Sequence, residues 1–155
     1  MQYWIDMEKL LTPDGVAAAF PTDLACRDRM ASVLWPDGPV CERCGETSVG
    51  YLQSRKTYHC RVCRYQFTVL TGTLLRSSKL SPLLWFQVAE EYVRWRARHG
   101  SHDFGIQALA EFMGVAYPTA YRVRKILTDD FSPEGSRFLA RCICVADRNQ
   151  RFPND

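Results

Sequence analysis

Little in this chain would carry it into or across a membrane. Its longest apolar runs, such as Val16-Ala17-Ala18-Ala19-Phe20, fall far short of the roughly twenty residues that a spanning helix needs. Asp6 and Glu8 stand where a secretory leader would carry positive charge, and no apolar stretch follows them. Export is therefore not expected. Low-complexity tracts and internal repeats are also lacking, which argues against linker, disordered and solenoid classes. The remainder is an ordinary globular composition, 155 residues with 46% hydrophobic and 24% charged, enough for one domain or two small ones.

Cysteine, in contrast, is plentiful at seven residues. An odd count without a leader argues against a disulfide framework and for a reducing, cytoplasmic setting. Four of the seven form two C-x2-C pairs, Cys41/Cys44 and Cys60/Cys63, with fifteen residues between the pairs. Each pair sets two thiolates on one tight turn, and two such turns complete a closed tetrahedral zinc shell. Catalytic zinc needs a vacant position, and four thiolates leave none, so structural Zn2+ is the expected cofactor. His59 adjoins Cys60 and is the alternative ligand by residue type. Gly45 follows the first pair, where the turn favours positive φ. Val49 to Gln53, Lys56 to His59 and Gln66 to Val69 read as three short strands. Tyr51, Tyr58, Tyr65 and Phe67 are expected to cover the metal, since so small a ribbon has little other core. Metal binding supplies about 10 kcal/mol in comparable sites, so the ribbon is not expected to fold without it.

Charge is distributed unevenly. Residues 1–40 carry three Lys/Arg against six Asp/Glu, residues 41–128 thirteen against six, and residues 129–155 four against five. The middle segment alone is thus strongly basic, at +7 against +3 for the whole chain. Such a local excess attracts polyanions.

Helical patterns flank the ribbon. Trp4, Met7 and Leu11 suggest a short N-terminal helix closed by Thr12-Pro13-Asp14-Gly15. Thr22 is a plausible cap for a second helix to about Leu34, with Cys26 a small buried hydrophobe on its inner face. Ser81, Pro82 and Gly100 bracket a longer helix whose buried stripe is expected at Leu84, Val88, Tyr92 and Trp95, broadened by Phe86, Ala89 and Val93. Arg94, Arg96 and Arg98 near its end suit either the helix dipole or phosphate contact.

Residues 106–125 carry a helix-turn-helix pattern. Ile106, Leu109 and Ala110 begin a helix ending near Phe112, Gly114 turns the chain, Val115 plugs the angle, and a second helix runs from about Pro118 to Thr128. Small Ala110 allows close approach, while Ala120 and Val123 face inward. Tyr117, Thr119, Tyr121, Arg122, Arg124 and Lys125 then lie on or beside the outward face, as candidates for major-groove and phosphate contacts. An ordinary helical hairpin with a polar face remains the alternative. Arg55, Lys56, Arg61 and Arg64 of the ribbon are candidate phosphate contacts.

From Phe20 to about Leu127 the chain resembles the N-terminal region of bacterial insertion-sequence DDE-type transposases, which pass from a zinc ribbon into a helix-turn-helix. The resemblance rests on Phe20-Pro21-Thr22-Asp23 with Cys26, and on Trp35-Pro36-Asp37-Gly38-Pro39-Val40-Cys41 through Cys44-Gly45. It continues through Tyr58-His59-Cys60-Arg61 with Cys63, Gln66-Phe67-Thr68-Val69, Thr71-Gly72-Thr73 and Lys79-Leu80-Ser81-Pro82-Leu83-Leu84-Trp85-Phe86. Glu42 replaces the usual proline. In such transposases an RNase H-like catalytic domain follows, with acidic residues that hold divalent metal ions. Here Phe138 to Val145 reads as one strand, with Cys142 and Cys144 packed on one face or, alternatively, forming part of a second metal site. Asp147 echoes a catalytic carboxylate, but two-metal cleavage gathers several carboxylates and only Asp155 follows. Asp147 is thus expected at the surface, and no enzymatic activity is expected.

The expected fold class is α+β, a small four-cysteine zinc β-ribbon flanked by helices and joined to a helical helix-turn-helix domain. Residues 1–39 are assigned to N-terminal helices, 40–73 to the ribbon, 79–130 to the helix-turn-helix domain and 131–155 to a C-terminal tail. The expected function is sequence-specific binding of double-stranded DNA, as a transcriptional regulator derived from a transposase DNA-binding region. Two alternatives stand beside it. One is the DNA-targeting part of a split or truncated transposase. The other is a protein-interaction module of the transcription machinery, with RNA polymerase or another regulator as partner.

Overall fold

A computed structural model of the protein describes residues 1–102, 104–145 and 152. Asp147 and Asp155 lie outside the described residues. The chain runs α1 (Gln2–Lys9), α2 (Val16–Ala19), α3 (Asp23–Leu34), β1 (Val49–Leu52), β2 (Thr57–Cys60), β3 (Gln66–Phe67), α4 (Pro82–His99), α5 (Ile106–Met113), α6 (Tyr117–Phe131) and α7 (Phe138–Ile143). Two units result: Met1–Cys26 with Leu80–Asp155, and Arg27–Lys79.

The helical unit is built on α4. Ser81 Oγ accepts the Leu84 N–H at 3.2 Å, Pro82 occupies the first turn, and Gly100 at φ 62° ends the helix. These are the two ends expected of a helix with a side-chain cap and a proline start. Helices α1, α2, α5 and α7 all contact α4. Trp4 of α1, Tyr92 of α4 and Phe131 of α6 meet with centroids 5.6 to 5.8 Å apart. Aromatic triads of this kind bury large areas and add edge-to-face attraction. The Thr22 Oγ1 cap on Ala25 N–H forms at 3.1 Å. Cys26 is fully buried, and burial, then the nearby Asp23 charge, push its thiol up to about 11.

The buried stripe of α4 differs from the expected one. Trp85 and Ala97 are buried, whereas Leu84 and Trp95 are only partly covered. Four consecutive apolar residues, Leu83 to Phe86, leave the helical phase open in sequence. Trp95 instead stacks on His99 at 4.0 Å and touches Phe104 at 4.7 Å.

Residues 138–145 also depart from expectation: Phe138–Ile143 form α7, not a strand, and only Cys144 bridges, to Leu11. The cause is Asp130, which is wholly buried at the end of α6. Its carboxylate accepts N–H bonds from Phe138 at 2.8 Å, Leu139 at 3.1 Å and Ala140 at 3.4 Å, and the Ser136 hydroxyl at 2.7 Å. A carboxylate thus satisfies the first amides of α7 from eight residues away. Burial pushes the Asp130 carboxyl above its ordinary value, against the pull of these donors. Gly135 permits the turn, because a Cβ there would strike the carbonyl oxygens of Asp129 and Asp130. Cys142 and Cys144 are buried, with Cys144 Sγ donating to Met7 O at 3.9 Å.

In the second unit, β1, β2 and β3 make an antiparallel sheet in that order, with Tyr51 opposite Tyr58 and Tyr58 opposite Phe67. Its small core holds Cys41, Cys60 and Phe67, flanked by Trp35, Val49, Tyr58, Cys63 and Tyr65. Tyr58 and Tyr65 both stack on Phe67, while Tyr51 packs on Tyr58 but stays largely exposed. Trp35, absent from the expected cover, stands edge-on to Tyr58 and Phe67 at 5.1 and 5.8 Å.

Candidate metal centre and nucleic-acid interface

Two backbone turns that repeat each other hold the four cysteines. Cys41 Sγ accepts the Arg43 and Cys44 N–H groups at 3.4 and 3.5 Å, and Cys60 Sγ accepts those of Val62 and Cys63, both at 3.4 Å. Cys41 N–H donates to Glu46 O, and Cys60 N–H to Tyr65 O, both at 2.9 Å. Gly45 and Arg64 therefore occupy equivalent positions, at φ 78° and φ 66°. Glycine accepts this left-handed geometry freely, whereas arginine is strained there by about 1–2 kcal/mol.

The sulfur atoms converge. Cys41 and Cys63 Sγ lie 3.6 Å apart, as do Cys44 and Cys60, and all four fall within 4.8 Å of one another. Zinc–sulfur bonds of about 2.3 Å in a tetrahedron place sulfurs about 3.8 Å apart, so the quartet fits a zinc ion. Burial resists ionisation of Cys41, but the Cys44 and Arg43 N–H groups and the Cys63 and Cys44 thiols outweigh it, bringing that thiol down to about 6. At Cys60 the Cys63 N–H leads a similar lowering, against burial. Cys44 moves the other way, up to about 12: the Glu46 N–H favours its thiolate, but burial and the three neighbouring sulfurs prevail. A divalent cation removes that conflict by neutralising the crowded thiolates. The four cysteines are a structural zinc site. Among the described residues no other His/Cys/Asp/Glu cluster of metal-binding geometry occurs, and His59 stands outside the quartet.

His59 pairs across the sheet with Gly50 instead. Arg55, Lys56, Arg61 and Arg64 are all exposed. The structure does not gather them at one point: Arg55 and Lys56 belong to the β1–β2 turn, while Arg61 and Arg64 belong to the second cysteine turn beyond the other end of β2. At about 3.4 Å per residue, the two pairs lie roughly 17 Å apart along the strand.

In the helical unit, α5 ends at Gly114, which takes φ 67° and donates to Ala110 O and Glu111 O. Leu109, Ala110 and Met113 of α5, and Ala120, Val123 and Leu127 of α6, are buried. That leaves Tyr117, Tyr121, Arg122 and Lys125 exposed on α6, while Thr119 and Arg124 are half-buried. Arg124 Nη1 donates to Phe104 O at 3.4 Å, which turns it away from the outer face. No side chain caps α6, and its first turn carries no acidic residue. Phe112 of α5 is a further exposed aromatic beside its buried neighbour Met113; in sequence it marked only the approximate end of the helix and carried no contact role.

The three arginines ending α4 are engaged within the fold. Arg94 pairs with Glu90 at 3.8 Å and Arg98 with Glu91 at 3.3 Å, while the Arg96 guanidinium lies 4.5 Å from the centre of the Trp4 ring. Arg122 and Lys125 have no ion pair or hydrogen bond among the described residues. This contrast separates structural from available positive charge.

Comparison with known proteins bears on the ribbon alone. No curated protein and no solved structure matches the chain. The family model of the transposase zinc-ribbon domain matches residues 21–66, under a third of the chain and including all four zinc ligands.

Proposed function

We propose that this protein binds double-stranded DNA in a sequence-specific way and acts as a transcriptional regulator of transposase ancestry, without cleaving DNA. The observation that carries the reading is the exposed face of α6, where Tyr117, Tyr121, Arg122 and Lys125 stand together. The turn at Gly114 and the buried Leu109, Ala110, Ala120 and Val123 supply what a helix-turn-helix requires. In this reading α6 enters the major groove, Arg122 contacts a guanine edge and Lys125 a phosphate. The uncapped N-terminus of α6 favours a nearby phosphate through its free N–H groups. Arg55, Lys56, Arg61 and Arg64 of the ribbon neutralise backbone charge, and zinc supports the fold without taking part in chemistry.

Selection from a randomised duplex library tests this reading. A single recovered motif is expected, and recovery of unrelated sequences contradicts it. The transposase kinship of the ribbon favours a second reading, a DNA-targeting subunit that serves a nuclease on another chain. Metal-dependent nicking by the purified chain alone would overturn the non-enzymatic assignment in both.

A further inference from the structure

Tyr117 and Tyr121 are each 53% exposed, and they stand one turn apart on the outer face of α6. Neither has a hydrogen-bond or ring partner among the described residues. Most other aromatic rings of the helical unit, including Trp4, Trp85, Phe86, Tyr92, Phe104 and Phe131, are buried. Two bare rings beside Arg122 and Lys125 thus add an apolar strip to a cationic face.

The chemistry of the strip narrows its target. Every base pair offers hydrogen-bonding groups in the major groove, but only thymine adds an apolar one, its C5 methyl. Four residues of helix advance about 6 Å, close to two base-pair rises of about 3.4 Å each. Lys125 lies one further turn along the same row, where a phosphate contact suits its flexible charge. Tyr117 is the first residue of α6 and Tyr121 begins its second turn, the part of a recognition helix that reaches base edges.

We infer that Tyr117 and Tyr121 read thymine methyl groups, so that the preferred site carries thymines about two base-pair steps apart, beside a guanine contacted by Arg122. This rests on the duplex-binding reading above and specifies the bases for that same surface.

Replacing thymidine by deoxyuridine removes the methyl and leaves every hydrogen-bonding edge intact. The test uses the zinc-loaded full chain and a duplex recovered from the randomised library. Deoxyuridine at the thymine positions is expected to weaken binding about fourfold per methyl, or about fifteenfold for two. Tyr117→Ala and Tyr121→Ala should each lessen this discrimination, and together abolish it, with unchanged circular dichroism. Tyr121→Phe should retain it, because the ring and not the hydroxyl makes the contact. Equal affinity of the wild-type chain for thymidine and deoxyuridine duplexes, with salt-sensitive binding preserved, overturns this inference and leaves the DNA reading standing. Tighter binding of the single strand than of its duplex overturns it in favour of base stacking on the tyrosines. Absence of duplex binding removes both.

Discussion

The His59 ring lies across Gly50, its partner in the β1–β2 ladder: a Cβ on Gly50 would stand 2.7 Å from His59 Nε2 and 3.2 Å from an Arg61 guanidinium nitrogen. The ribbon thus uses a bare backbone position in β1 to seat an imidazole beside a zinc ligand. Gly50→Ala is expected to lower ribbon stability by about 1–3 kcal/mol through overpacking. His59→Ala should relieve most of that loss in the double variant, since the two sites touch. Thermal melting of the four zinc-loaded proteins measures the coupling, and additive losses would count against the contact.

Arg64 occupies the left-handed position that Gly45 fills in the other cysteine turn. Arg64→Gly should therefore raise ribbon stability by about 0.5–1 kcal/mol, as strain is relieved and chain entropy partly offsets the gain. The same change removes an exposed positive charge and should weaken DNA binding, with a shallower salt dependence. Denaturation and affinity measurements on the one variant check both signs. A loss of stability would contradict the strain assignment.

Asp130 joins α6 to α7 through its four hydrogen bonds. Asp130→Ala leaves buried donors without an acceptor and is expected to destabilise the helical unit by about 2–4 kcal/mol. Chemical denaturation measures this. A loss under about 0.5 kcal/mol would show that α7 needs no such cap.

The difference between α7 and the expected strand shows where sequence reading stops. Features specified within a few residues were legible: the two C-x2-C turns, the Ser81-Pro82 start and Gly100 end of α4, and the Gly114 turn. The partner of α7 was not, because Asp130 reaches its amides across a loop whose path depends on Gly135. Leu84 and Trp95 were misplaced for a related reason. A run of apolar residues fits several helical phases, and tertiary packing chooses among them. At the candidate interface, residue type suggested Arg124 as readily as Arg122; the half-burial of Arg124 and its hydrogen bond to Phe104 O distinguish them.

Zinc removal separates the two units experimentally. All four ligands lie between residues 41 and 63, within the second unit. Chelation should therefore abolish the ribbon's protection from proteolysis and hydrogen exchange, while most helical circular dichroism persists. Acid should act in the same direction. The Cys41 thiol is held down to about 6, so it offers zinc a thiolate above that pH and a protonated sulfur below it, and the zinc-bound ribbon loses stability as pH falls through about 6. Protons also compete with zinc for thiolate, so metal retention should decline with falling pH. Zinc release that increases on raising the pH from 6 to 8 would contradict the thiolate site.

The dependence of duplex affinity on salt, compared between the wild-type chain, Arg122→Ala and Lys125→Ala, tests the central claim most directly. Affinity of the wild type should fall linearly with salt on logarithmic axes, by about 0.9 in slope for each phosphate neutralised. Lys125→Ala should weaken all sequences evenly and reduce that slope by about one, whereas Arg122→Ala should chiefly relax the preference for the selected motif. Salt-independent binding, or indistinguishable effects of the two substitutions, would contradict the assignment of α6 as the DNA-reading helix.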